Sequence, residues 1–297
     1  MRGLRFQVTA VAVVFTALLA GLLLGALARR GPADRAALDA NEATGAQNAQ
    51  LRDTVKDLTG ELAAQQEIAD GLAPAVLNGR LHGVRVVVVS TPDGSADVDG
   101  VLGMLATAGA RVTGEVELTA EYTDPDYAAA LLDLATRTWP PGLTGAGPTT
   151  DGVGASTSLL AAVLLARTPA VSDSDRASVL AAYTSHGFLR LGPPRPEPGD
   201  AVVLIGGDSA GPAMLGAIGV LRRAAPIVVA AGAATGLVGQ VRADATLSAT
   251  VSTVDDVGMP AGSLVTAWAL VELIGGRTGH YGTGAGATLL PPVPDAP

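Results

Sequence analysis

The sequence predicts an α/β fold: a mostly parallel sheet of Rossmann or flavodoxin-like type with helices on both faces, preceded by a transmembrane helix and a coiled-coil stalk. Three observations predict it. From residue 84 onward, short β-branched runs alternate with helical segments. Near the start lies an uncharged 21-residue run, Val8 to Ala28. Between the two, apolar residues recur on a 4-3 spacing.

An α-helix rises about 1.5 Å per residue, so the Val8–Ala28 run matches a hydrocarbon core of roughly 30 Å. Residues 1–7 are expected to form a cytoplasmic tail and 8–28 a signal anchor, because a long following domain translocates largely regardless of flanking charge. The protein would then sit in the cell membrane as a single-pass chain, with its C-terminal domain in the cell envelope. Ala26-Leu27-Ala28 offers the alternative of a leader cleaved after Ala28. The run exceeds the roughly 7–15 apolar residues of a cleaved leader, which favours the anchor.

Residues 31–73 read as a stalk. Leu51, Val55, Leu58, Leu62 and Leu72 carry the seam. Extended, the register puts Ala37, Thr44, Gln65 and Leu72 in line with Leu51 and Leu58, and Asn41, Asn48 and Ala69 in line with Val55 and Leu62. Asn at such positions fixes register and strand number. A parallel homodimer is the preferred reading. The alternative is a single amphipathic helix packed on the domain, because Gly45 and Gly60 weaken the helix. Pro74 and Gly79 are expected to break it.

The domain spans 80–288. Strands are expected at 84–89, 111–118, 201–205, 227–231 and 247–252. Helices are expected near 97–108, 124–137, 157–167, 173–186, 211–224, 235–242 and 260–274, with Pro125 and Pro260 at helix starts and Gly275-Gly276 as a stop. Residues 139–157 and the proline-rich 190–200 read as loops, and 289–297 as a disordered tail. Nothing resembles the ten-residue alternating strands of an outer-membrane barrel.

The chain has 297 residues and a formal net charge of -9, with Lys56 its only lysine, which argues against a nucleic-acid surface. The absence of cysteine removes thiolate ligands and nucleophiles. Gly207-Asp208-Ser209-Ala210-Gly211 matches G-x-S-x-G between an expected strand and helix. Ser209 would be the nucleophile, His280 the base, and Asp255 or Asp256 the residue orienting it. The competing and favoured reading is a tight turn in which Ser209 or Asp208 caps the helix, so no enzyme is expected. The histidines, His82, His186 and His280, are far apart, and so are Met104, Met214 and Met259. A metal site could be assembled in space from His280 and Met259, without a sequence motif to support it. Turns at Asp93-Gly94 and Gly206-Gly207 fall at strand ends where α/β sheets bind ligands, but neither is G-x-G-x-x-G.

Two motifs close the domain: Ser252-Thr253-Val254-Asp255-Asp256 and Gly279-His280-Tyr281-Gly282-Thr283-Gly284. With the basic start, the apolar run, the stalk and a V-rich strand ending in Thr91-Pro92-Asp93, they resemble the actinobacterial MctB family over nearly the whole chain. That resemblance implies copper transport or homeostasis, with copper as the species handled. A related branch, the SteB-like proteins, implies an alternative: a regulator of cell separation that binds a membrane partner and controls a peptidoglycan hydrolase.

Overall fold

The computed structural model describes residues 32–143, 151–166, 170–193, 195–207 and 211–292, with side chains from residue 47 onward. The apolar run 8–28 lies outside them; among the described residues no helix is long and apolar enough to cross a membrane. The chain divides into two compact units, one ending at Glu61 and one beginning at Leu62.

Helix α1, Pro32–Leu77, belongs to both units. In the first, Leu51, Val55 and Leu58 are 56%, 62% and 54% exposed, so its apolar row is bare. In the second, Leu62 and Leu72 are exposed too, but Ala69, Ala73 and Leu77 are buried, the last two in the domain core. Ala69, which the heptad register places in the seam, is thus taken up within its own unit. The expected break at Pro74 does not occur there. Proline removes only its own N–H, and its carbonyl still accepts from Asn78 N at 3.2 Å, so the helix ends one turn later.

The second unit is one seven-stranded sheet. Its strands are β1 (Arg85–Ser90), β2 (Arg111–Leu118), β3 (Leu189–Leu191), β4 (Ala201–Gly206), β5 (Ile227–Ala231), β6 (Ser252–Val254) and β7 (His280–Tyr281). Their spatial order is β3-β2-β1-β4-β5-β6-β7, and every pair is parallel except β2 with β3. The central runs are apolar throughout because both faces are covered. Val87, Val89, Val202, Leu204, Ile227 and Val229 face one core with α3 (Ala128–Thr138), α4 (Gly152–Leu164), α5 (Asp173–Ser185), α6 (Pro212–Ala224) and α7 (Leu237–Ala243). Val86, Val88, Val203, Ile205, Val228 and Val254 face the other, with the end of α1, α2 (Val98–Thr107) and α9 (Pro260–Ile274). The mostly parallel α/β expectation holds.

Several boundaries differ from expectation. Residues 247–252 are not a strand: Asp244 accepts from Thr246 N and Leu247 N at 2.8 and 2.9 Å and caps a short helix α8, Ala245–Ser248. The strand that follows is β6. Helix α4 starts at Gly152, inside the expected loop, where Asp151 accepts from Val153 N and Gly154 N. It is buried nearly all round, so it has no amphipathic period to read. Within the expected 190–200 loop, β3 adds an antiparallel edge through the Arg190–Glu117 ion pair at 2.5 Å. Of the expected tail, residues 289–292 are described, with Leu289 and Leu290 exposed, and 293–297 lie outside the description.

Candidate functional site

Sheet order reverses at β1, which pairs with β2 on one side and β4 on the other, so the crevice beyond their carboxyl ends is the topological switch point. Thr91 N crosses to the Ile205 carbonyl at 3.0 Å and joins the two loops. The β1 loop presents Asp93 and Asp97 where a nucleotide site would present glycine amides, and burial pushes the Asp97 carboxyl above its ordinary value. Carboxylates there repel phosphate. In the β4 loop, residues 208–210 lie outside the described residues, so Ser209 does too; its flanks, β4 and α6, are the strand and helix expected around it.

The two sequence motifs meet in space. Strand β6 carries Ser252, Thr253 and Val254, and β7 carries His280 and Tyr281 beside it, with Thr253 opposite His280 and Val254 opposite Tyr281. Gly279 N donates to Ser252 Oγ at 3.2 Å. Between the strands sits Arg242 of α7. It donates from Nε to Thr253 Oγ1 at 2.9 Å, from Nη1 to Asp255 Oδ2 at 2.7 Å, and from Nη2 to the Tyr281 carbonyl at 2.9 Å. The Arg242 and Asp255 side chains are 8% and 0% exposed. Asp255 also accepts from Thr283 N at 2.6 Å and Gly284 N at 3.3 Å. Burial pushes its carboxyl up, but the guanidinium and the Thr283 amide outweigh burial and hold it below its ordinary value.

The glycines of the second motif follow from this carboxylate. A Cβ at Gly282, whose φ is +124°, would run into Asp255. Asp256 takes a left-handed φ of 60° and accepts from the Thr283 hydroxyl at 2.5 Å, which ties the same loop a second time.

His280 lies outside that carboxylate's reach. Its Nδ1 meets Thr253 Oγ1 at 2.9 Å, and the ring also bonds to the Ser248 carbonyl. Because the Thr253 oxygen already accepts from Arg242, its hydroxyl proton points to Nδ1, which leaves the imidazole neutral with its proton on Nε2. Burial first, and then the Arg242 charge, lowers the His280 pKa below its ordinary value. Among the described hydrogen bonds, neither Asp255 nor Asp256 orients His280: Arg242 and the 283–284 amides hold the one, and Thr283 the other.

Met259 is the N-cap of α9, with its side chain 39% exposed and its amide on the Asp256 carbonyl at 2.9 Å. Met104 and Met214 are buried in opposite cores. His186 bonds through Nδ1 to the Ala182 carbonyl at 2.8 Å, at the end of α5. Among the described residues no group of three or more His, Asp or Glu side chains could hold a metal ion. The soft and imidazole donors are therefore spread over the domain, and they do not fit a resident copper ion. Sequence reasoning missed Arg242, the residue that organises both motifs; an arginine inside a short amphipathic helix gives no local signal of its partners.

A family model described as "Copper transport outer membrane protein, MctB" matches residues 1–292. The chain is 30% identical to the "Copper transporter MctB" of Mycobacterium bovis and of Mycobacterium tuberculosis, over 97% of this chain and 98% of each relative. It is 32% identical to the protein of the same name from Mycobacterium leprae, over 72% of this chain and 74% of the relative.

Proposed function

The chain belongs to the MctB family of copper transport outer membrane proteins, and from that premise we propose that it serves copper homeostasis in the cell envelope as an anchored, contact-making body. The observation that carries the copper reading is the match along essentially the whole chain to proteins named copper transporters. The mode of action rests on the molecule. The uncharged Val8–Ala28 run tethers it in a single pass, and the bare Leu51, Val55 and Leu58 row of α1 joins two copies as a parallel coiled coil. The described sheet is open, mostly parallel and covered by helices on both faces, whereas a membrane barrel is closed and turns apolar side chains to lipid. Copper is the species handled, not a bound cofactor, and the protein is not an enzyme.

The test is complementation in a host lacking its own copy, read as cell-associated copper under copper stress. The full chain is expected to lower cell copper, Leu58→Asp to fail, and His280→Gln to succeed. Equal rescue by Leu58→Asp would overturn the contact mechanism. A copper affinity tighter than that of bulk carboxylates and lost in His280→Ala would overturn the reading that the cluster braces the fold. The same bare row also suits a regulator of cell separation that holds a membrane partner and, through it, a peptidoglycan hydrolase. In that case Leu58→Asp would leave cell copper unchanged and produce chained cells.

A further inference from the structure

Away from the two motifs, the β1–β2–β3 end of the sheet holds a cavity of about 310 Å³ beside the start of α2. Strand register explains its chemistry. Val88 pairs with Glu115 and Ser90 with Glu117, so these four side chains stand on one face of the sheet, and Arg190 lies opposite Glu117. Where the sheet centre puts valine and isoleucine on this face, its β2–β3 end puts carboxylates.

Arg190 neutralises Glu117 at 2.5 Å. Glu115 and Asp99 line the same cavity, and among the described residues neither carboxylate has a partner. Ser90 also lines it, is only 6% exposed, and has no partner among the described residues for its hydroxyl. A hydroxyl that deep is usually bonded, and leaving one unmet costs about 1–3 kcal/mol. The cavity therefore offers three unmet acceptors and two uncompensated negative charges. Its one cationic side chain is already engaged. Glu115 is held in place from behind: a Cβ at Gly192 would come within 2.9 Å of Glu115 Oε2, so the backbone there packs against the carboxylate.

What completes such a site must bring donors and positive charge. No group of acidic or histidine side chains among the described residues could hold a metal ion, so the cation is organic. An ammonium carries three N–H donors and no acceptor, which matches two carboxylates and one hydroxyl. Val88 and Val98 supply apolar wall for a methylene chain. We propose that this cavity binds a primary ammonium group on a short aliphatic chain, independently of any role in copper handling.

Calorimetric titration of the full-length protein with n-butylammonium chloride tests this, with tetramethylammonium chloride and sodium chloride as controls at equal ionic strength. Saturable binding of n-butylammonium is expected at one site per chain. Removal of a charge-assisted hydrogen bond in Glu115→Gln or Asp99→Asn weakens it by about tenfold or more, and Ser90→Ala weakens it by about threefold. Melting temperatures of the variants establish that they fold; Asp99 is exposed, so Asp99→Asn decides the matter if Glu115→Gln does not. Equal binding of tetramethylammonium, which lacks N–H donors, would overturn the proposal. So would unchanged affinity in a folded Asp99→Asn, or no saturable binding by the unmodified chain. Tighter binding of methylguanidinium than of n-butylammonium would overturn the assignment to ammonium.

Discussion

His280 is neutral because three hydrogen bonds run in one direction, from Arg242 Nε to Thr253 Oγ1, from that hydroxyl to Nδ1, and from the ring to the Ser248 carbonyl. A proton on Nδ1 would reverse the middle link. The folded imidazole therefore takes a proton less readily than the unfolded one, whose ordinary value is 6.5, and unfolding takes up a proton below that pH. Stability is expected to fall as pH drops through about 6.5 toward the lowered folded value, and His280→Gln should remove that loss. Melting curves of both proteins between about pH 7.5 and 5.5 check it. Asp255 acts at lower pH: its folded carboxyl lies below the ordinary 3.8, so its contribution is full above that value and is lost as pH falls through the folded one. Removing it is more severe. Asp255→Ala leaves the Arg242 charge 8% exposed without its partner and frees the 283–284 amides, and a loss of about 3–5 kcal/mol is expected in chemical denaturation.

Helix α1 changes its task along its length. Up to Leu62 its apolar row is bare, and from Ala69 the helix has buried side chains. Substitution on the bare stretch should leave the domain's own stability within about 0.5 kcal/mol, because nothing described packs there. Leu58→Asp is thus expected to leave the melting temperature of the domain unchanged while shifting sedimentation equilibrium from dimer to monomer. A dimer that survives the substitution would place the interface elsewhere. Other elements were legible to unequal degrees. The strands around Val86–Val89, Val202–Ile205 and Ile227–Ala231 stood out because burial on both faces demands continuous apolar runs. Strands β3 and β7, of three and two residues, are too short to carry a period, and exist because a neighbouring strand edge was there to pair with.

On the scale of the whole molecule, the G-x-S-x-G run asks whether this body does chemistry. Ser209 lies beyond the described residues, but its supposed partners are engaged elsewhere: Asp255 on Arg242, and His280 on Thr253. A fluorophosphonate probe is expected to leave Ser209 unlabelled in the folded protein, and stoichiometric labelling lost in Ser209→Ala would make it a hydrolase.

The linear chain by itself determined the alternation of strands and helices, the bare heptad row, the uncharged run at the start and the two glycine-bearing motifs near the end. All are local patterns whose period or composition is set by the face each residue must present. Only the tertiary structure decided what the motifs are for. Arg242 lies 11 residues from Thr253, 13 from Asp255 and 39 from Tyr281, and one side chain bonds to all three. The Ser90, Asp99 and Glu115 cavity likewise arises from strand order. The physical reason is the same in both cases: which polar groups share a buried space is set by how strands and helices pack, and no local period encodes that packing.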